Sequence, residues 1–449
     1  MIEMSPPVSV LREIAPKKTK KEREKMRKSC TALVGLVSII TSVVASQVWA
    51  QDENKQTFAF NAYVRTNFQT GRGGLAGERI DETGGFAIHG RLLEGQYFEL
   101  SAKTAWADTS WFRFTVAQGG ESFAYTNVWP ETAGYAIRDL FYQIDHLPGN
   151  PKLQAWFGSR MYRGDNDIHL FDTWVLDNQN LLGGGIAYCG DTTVEFALGA
   201  RRGSTYALAT GLASDSLAPG TQRYMLINKV IVPHRDRKIK TNLELHYIPS
   251  ANTTATINGA STPLNIPSVT GIMAGFQYPL WNGANGFFNY GHGDVMGGID
   301  APFAAVPTQP GLISREGSNA AHIALGGVNE FPSNFGVLYA AMLRALKPRD
   351  TDMGTSFSAA VRGLYNISNH LRPGVEVDVV QYLKKMTLGR DVNFVQISPM
   401  VEYGLGKGMF GVPRLKLIAS NIFYSEPVAH YGVTSQYAFT VSTGLELWF

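Results

Sequence analysis

The stretch Tyr437-Ala438-Phe439-Thr440-Val441-Ser442-Thr443-Gly444-Leu445-Glu446-Leu447-Trp448-Phe449 alternates at every step. Its odd positions are Tyr, Phe, Val, Thr, Leu, Leu and Phe, and its even positions are Ala, Thr, Ser, Gly, Glu and Trp. Side chains along a strand point alternately to opposite faces, so the segment predicts a strand with one apolar face and one mostly small or polar face. A tilted strand needs roughly 9–11 residues to cross a bilayer, and this one is long enough.

The same design recurs upstream. Phe58, Phe60, Ala62, Val64, Thr66 and Phe68 oppose Asn61, Tyr63, Arg65, Asn67 and Gln69. Phe98, Leu100, Ala102 and Trp106 oppose Tyr97, Glu99, Ser101 and Lys103. Leu243, Leu245 and Tyr247 oppose Asn242, Glu244 and His246, and Val375, Val377 and Val379 oppose Gly374, Glu376 and Asp378. A soluble sandwich also alternates, but it turns its apolar faces inward and needs a second sheet. A barrel in lipid turns them outward and satisfies every backbone donor and acceptor by closing. Aromatic strand ends and the terminal Trp448-Phe449 favour the membrane barrel.

The N-terminal region supplies the compartment. A basic head (Lys17, Lys18, Lys20, Lys21, Arg23, Lys25, Arg27, Lys28) precedes an uncharged stretch from Ser29 to Ala50. That stretch has an apolar centre and ends in Val48-Trp49-Ala50, a pattern expected of a signal peptide cleaved after Ala50. Met26-Arg27-Lys28 would make an ordinary start, leaving residues 1–25 as an upstream extension. The expected division is therefore residues 1–50 as extension and signal, and residues 51–449 as the barrel.

Charge follows that division. The first 50 residues hold nine Lys/Arg and four Asp/Glu, so the remainder carries 31 basic and 33 acidic residues, against 40 and 37 in the whole chain. The apparent basicity belongs to the export segment, and no nucleic-acid partner is implied. Past that segment Cys189 is the single cysteine, which excludes an intrachain disulfide and a multi-cysteine metal site.

Turn chemistry sits where strands must reverse: His146-Leu147-Pro148-Gly149-Asn150-Pro151, Asn369-His370-Leu371-Arg372-Pro373-Gly374 and Gly411-Val412-Pro413. Ala107–Tyr135, Tyr162–Gly185 and Asp300–Asn319 read as long extracellular loops. At roughly 22 residues per strand and connection, the fold expected is an all-β, transmembrane antiparallel barrel of about 18 strands. A barrel of that size is too wide for side chains to fill, so it is a pore or a plugged pore.

Asp167-Ile168-His169-Leu170-Phe171-Asp172-Thr173-Trp174-Val175-Leu176-Asp177 resembles the constriction-loop pattern of the maltoporin (sugar porin) family. Gly158-Ser159-Arg160-Met161-Tyr162, Arg138-Asp139 with Leu147-Pro148-Gly149, Phe60-Asn61-Ala62-Tyr63-Val64-Arg65 and Leu445-Glu446-Leu447-Trp448-Phe449 extend the resemblance. It implies an inward-folded loop, a homotrimer in the outer membrane, and facilitated diffusion of maltodextrin-type oligosaccharides. Sugar ring faces would stack on an aromatic track, by resemblance Tyr63, Tyr97, Trp129, Phe357 and Trp448. Hydroxyls would exchange hydrogen bonds with a polar track, by resemblance Arg65, Arg91, Arg138, Asp167 and Asp172. Trp174 stands where the family usually narrows the pore with a tyrosine, Arg163 is the nearest match to the arginine before the loop, and the family's cysteine pair is absent.

Other readings fit these residues less well. Asp167, His169, Asp172 and Asp177 fit no tight metal-ligand spacing, and a hydrogen-bonded loop accounts for them. Gly183-Gly184-Gly185 lacks the strand–helix context of a phosphate loop, and no Ser/His/Asp arrangement is recognisable. No enzyme and no cofactor are expected; the partners are oligosaccharides and membrane lipid. A general or anion-selective porin of about 16 strands is the alternative channel, and an outer-membrane barrel enzyme the alternative class.

Overall fold

The computed structural model describes residues 56–71, 97–106, 109–119, 135–162, 167–171, 173–176, 179–202, 222–257, 260–266, 268–281, 283–293, 317–347, 352–385, 392–405, 413–430 and 433–448. Shorter pieces at 74–76, 90, 206–208, 304–305, 312–314 and 409 are described besides.

Barrel strands follow one another in chain order. The first six are β1 (Gln56–Gly71), β2 (Tyr97–Trp106), β3 (Ser110–Gly119), β4 (Tyr135–Ile144), β5 (Leu153–Tyr162) and β6 (Gln179–Cys189). Then come β7 (Thr193–Arg202), β8 (Gln222–His234), β9 (Arg237–Ile248), β10 (Val269–Pro279), β11 (Ala284–Gly293) and β12 (Asn319–Glu330). The last six are β13 (Phe335–Lys347), β14 (Gly354–Tyr365), β15 (Leu371–Lys384), β16 (Phe394–Gly404), β17 (Arg414–His430) and β18 (Val433–Trp448). Each pairs antiparallel with its sequence neighbours, and β1 pairs with both β2 and β18, so the sheet closes.

Closure puts the period-2 pattern to use. Along β16 every second residue is buried and every other one exposed, from Phe394 to Gly404. Ile323, Leu343, Val361, Ile397 and Leu417 project outward, while Arg362, Glu376, Ser398, Glu402 and Ser442 are buried on the inner side. An exposed apolar belt beside a charged interior is the reverse of a water-soluble core, and it suits a chain solvated by lipid. One end of the barrel has tight reversals, such as Arg235-Asp236 between β8 and β9, where Arg235 takes a positive φ of 57°. The twist of a two-residue hairpin demands that conformation.

The long-loop expectation is corrected at two places. Ala107–Tyr135 is not one loop, because Ser110–Gly119 within it forms β3. Its inward residues Trp111, Arg113 and Thr115 alternate with Phe112, Phe114 and Val116, and aromatics on both faces blur the polarity contrast. Tyr162–Gly185 likewise ends at Gln179, where β6 begins, and Gly183-Gly184-Gly185 is strand. In the third stretch, Ala304–Ala305 and Leu312–Ser314 pair in a small separate sheet with Tyr206–Leu208.

The lipid face is testable at Ile323, which is 58% exposed near the middle of β12. Ile323→Arg should lower stability by about 2–4 kcal/mol, read from urea unfolding in lipid vesicles.

Candidate functional site: the lumen and its constriction loop

Between β5 and β6 the chain turns into the lumen. Asp167 pairs with Trp174 and Ile168 with Thr173, forming a miniature hairpin around the 3-10 turn His169–Phe171. Ile168, Leu170, Phe171 and Val175 are buried in a cluster with Phe287, Ala324, Leu338, Ala340 and Met342, which lie on β11, β12 and β13. Each such side chain removed from water contributes on the order of 1.5–3 kcal/mol, so the loop is held by packing. The wall is cut to receive it: a Cβ on Gly275 would come within 2.6 Å of Leu176, and one on Gly326 within 3.1 Å of Ile168.

Two asparagines of the wall then fix the backbone of the loop. Asn242 Nδ2 on β9 donates to the Leu176 carbonyl at 2.7 Å, and Asn289 Nδ2 on β11 donates to the Val175 carbonyl. The loop therefore lines the β9–β14 side. Opposite lies the wall of β15–β18 and β1–β8, where Gly90 packs on Asp378 of β15.

On that wall Tyr63, Tyr97 and Arg65 meet. The two phenol rings lie 5.8 Å apart at 50°, and the Arg65 guanidinium sits 5.9 Å from the Tyr97 centroid. Tyr63 Oη donates to Glu446 Oε1 at 3.0 Å, and Tyr97 Oη to Glu99 Oε2 at 2.6 Å. Lys416 Nζ donates to Glu446 Oε2 at 2.5 Å. The register places Trp448 directly across from Tyr63, which has Glu99 on its other side, so these positions share one face. The result is an apolar ring surface edged by charged donors and acceptors, the chemistry that an alternating apolar and hydroxylated solute requires.

Further round, charged side chains are paired across strands. Arg362 on β14 donates from Nε to Glu376 on β15 at 2.5 Å, and both are nearly fully buried. Glu402 on β16 lies 3.9 Å from Arg372 and 3.7 Å from Arg414. The register sets Arg362 opposite Glu376, Arg372 opposite Glu402 and Arg414 opposite Glu446. The charges that would face a lumen thus neutralise one another along this arc. Removing one partner leaves a buried charge uncompensated, which typically costs about 3–5 kcal/mol.

Two track residues expected from the sequence stand elsewhere. Phe357 falls on the outer face of β14 with Val361 and Tyr365, because Ser356, Ser358 and Arg362 take the inner positions. Arg138 is the extra residue of a β-bulge: Thr115 pairs with Asp139 and Val116 with Ile137. Its Nη1 reaches Met161 Sδ at 3.8 Å, on the face opposite Arg160 and Tyr162. Asp139 is the inward residue there, accepting from Thr115 Oγ1 at 2.9 Å. Trp174 is half-buried in the loop. Asp167 is described as strand backbone and Trp448 by register alone. Trp129, Arg91, Asp172 and Arg163 lie outside the described residues, although Gly90, next to Arg91, packs so tightly on Asp378 that a Cβ would overlap the carboxylate.

Several inward residues escaped the sequence reading. Lys416, Glu402, Arg372 and Arg414 carry the period-2 signal, but their pairing depends on cross-strand register. Asn242 and Asn289 look like any other inward polar residues until the loop is in place.

An antiparallel barrel with an apolar outside, a charged and aromatic lumen and an inward loop is a channel of the outer membrane. The chain belongs to the LamB porin family, whose profile matches residues 58–449. No curated protein matches it. Among solved structures it is similar to an anion-selective porin from Comamonas acidovorans, with 10% identity over 88% of this chain and 100% of the other and a TM-score of 0.47. The outer-membrane channel DcaP of Acinetobacter baumannii shares 9% identity over 88% and 99%, with a TM-score of 0.43. OprB of Pseudomonas putida shares 9% identity over 88% and 94%, with a TM-score of 0.40.

Replacing both wall asparagines (Asn242→Ala, Asn289→Ala) should free the loop backbone. Single-channel recordings should then show larger and noisier conductance than the wild type.

Proposed function

We propose that this channel conducts sugars, of maltose and maltodextrin type, by facilitated diffusion along an aromatic track. The observation that carries the reading is the Tyr63–Tyr97 ring pair with Arg65, Glu99 and Glu446 at its edge. A pyranose presents an apolar ring face and a rim of hydroxyls. Rings take the face, and the flanking charged groups exchange hydrogen bonds with the rim as the sugar advances. Contacts must be serial and weak, since a deep site would trap the cargo and a bare pore would not select it.

Trp448 joins the track across from Tyr63, and Trp174 narrows the pore from the loop. Asp167, the register partner of Trp174 in the loop hairpin, is assigned to the polar track by the family resemblance. By the family resemblance the working unit is a homotrimer, which chemical cross-linking in native membranes would display as a three-fold ladder.

The decisive test is ion-current block in a planar bilayer with maltose, maltotriose and longer maltodextrins. Saturable block that strengthens with chain length is expected. Tyr97→Ala and Trp448→Ala should each weaken it about 10-fold, the scale of one lost ring contact of about 1.4 kcal/mol. An unblocked current with every saccharide would sink the assignment.

A further inference from the structure

Glu244 on β9 stands at the centre of a hydrogen-bonded cluster behind the exit of the constriction loop. It is 0% exposed, and its cross-strand neighbours Ile227 and Met273 are apolar. Carboxylates of the β14–β18 arc face cations across the strands, whereas Glu244 is met by neutral N–H donors. Asn242 Nδ2 donates to Oε1 at 2.9 Å, and Gln179 Nε2 and His246 Nε2 donate to Oε2 at 3.2 and 2.9 Å.

The direction of each donor is forced from behind. Arg201 Nη1 donates to Gln179 Oε1 at 3.0 Å, and Arg223 Nη1 to His246 Nδ1 at 3.2 Å. A guanidinium has no acceptor, so Gln179 turns its oxygen to Arg201 and its nitrogen to Glu244. His246 likewise accepts at Nδ1 and carries its hydrogen at Nε2, where it donates to Glu244.

Asn242 completes the link to the loop. Its Nδ2 has two hydrogens: one goes to the Leu176 carbonyl at 2.7 Å and the other to Glu244 Oε1. Both partners only accept, so a flipped amide would press Oδ1 against two oxygens. Oδ1 itself has no hydrogen-bond partner. Gln179 is the first residue of β6, where the chain rejoins the wall after the loop. One carboxylate therefore holds the loop exit at two points, Leu176 through Asn242 and Gln179 directly.

Stability alone is a poor account of this cluster. Taking a carboxylate out of water costs several kcal/mol, and an apolar side chain between Ile227 and Met273 would pack there without that cost. What the carboxylate adds is direction. We propose that Glu244 is the positioning residue of the constriction loop: by orienting the Asn242 and Gln179 amides it sets where the loop leaves the wall, and with it the bore of the channel. The inference concerns ion conduction and does not depend on which solute passes.

Two donors meet Oε2 and one meets Oε1, so Glu244→Gln should keep an oxygen toward Gln179 and His246 and turn its amide nitrogen to Asn242. Asn242 must then face Leu176 with Oδ1, and the loop is released. The readouts are electron paramagnetic resonance of a nitroxide on Thr173→Cys, in a Cys189→Ser background in lipid vesicles, and single-channel conductance in planar bilayers. Glu244→Gln is expected to make the label mobile and the conductance larger and noisier, to the extent that Asn242→Ala does alone. Adding Asn242→Ala to Glu244→Gln should change neither readout, because both act on one contact. Adding Asn289→Ala, whose bond to the Val175 carbonyl does not pass through Glu244, should change both further. The exchange Asn242→Asp with Glu244→Gln keeps the net charge and a hydrogen bond between the two positions, which guards folding. It turns only acceptors to Leu176, so the label should again be mobile. An immobile label in Glu244→Gln or in the exchange pair, or a full second increment from Asn242→Ala, would overturn the proposal.

Discussion

In hydrocarbon a backbone N–H or C=O without a partner costs several kcal/mol, and no water is there to supply one. Every other feature of this protein depends on meeting that demand between strands. Pairing β1 with both β2 and β18 removes the sheet edge, and the alternation of strand side chains then separates two solvents. Phe439 and Leu417 meet lipid while Glu446 and Lys416, on the same pair of strands, meet the lumen. Closure also forces width, so the interior must be occupied by something other than barrel side chains.

The occupant is the chain itself. Residues 167–171 and 173–176 line one side of the lumen with Ile168, Leu170, Phe171 and Val175, and small residues on the receiving strands let them approach closely. Hydrogen bonds from Asn242 and Asn289 to their carbonyls satisfy backbone groups that folding inward would otherwise strand. One wall is thereby spent on anchoring the loop. On the β14–β18 arc, charges such as those of Arg362 and Glu376 are paired at short range. On β2–β8, Lys103 and Arg160 lie over ring faces, and Arg160 is also 3.7 Å from Glu195.

The polarity of each strand was legible in the sequence wherever the contrast between faces was strong. Tyr63, Arg65, Tyr97 and Glu99 were assigned to one face by alternation, and the register brings all four together. Alternation failed where that contrast weakened. Ser110–Gly119 carries aromatics on both faces and read as loop, and the glycines of β6 read as irregular although they are strand. Arg138 was misplaced because a bulge adds a residue, and a single insertion reverses the facing of every later residue in the strand. Phe357 rests on the family resemblance alone, against the alternation of its own strand.

The sequence by itself determined that strands of period two, with an apolar face and a polar face, make up this chain after an export-like segment. Local stereochemistry suffices for that, because facing is set by residue parity. It also pointed to the inward loop, through a dense pattern of Asp, His and apolar residues between Asp167 and Asp177. Only the tertiary structure decided which charges meet, because pairing depends on the register between strands far apart in the chain, as with Tyr63 and Glu446. It likewise decided which aromatics are bare and which are capped by cations. Ring and cation come from different strands, and only the closed barrel brings Lys229 of β8 over Tyr162 of β5.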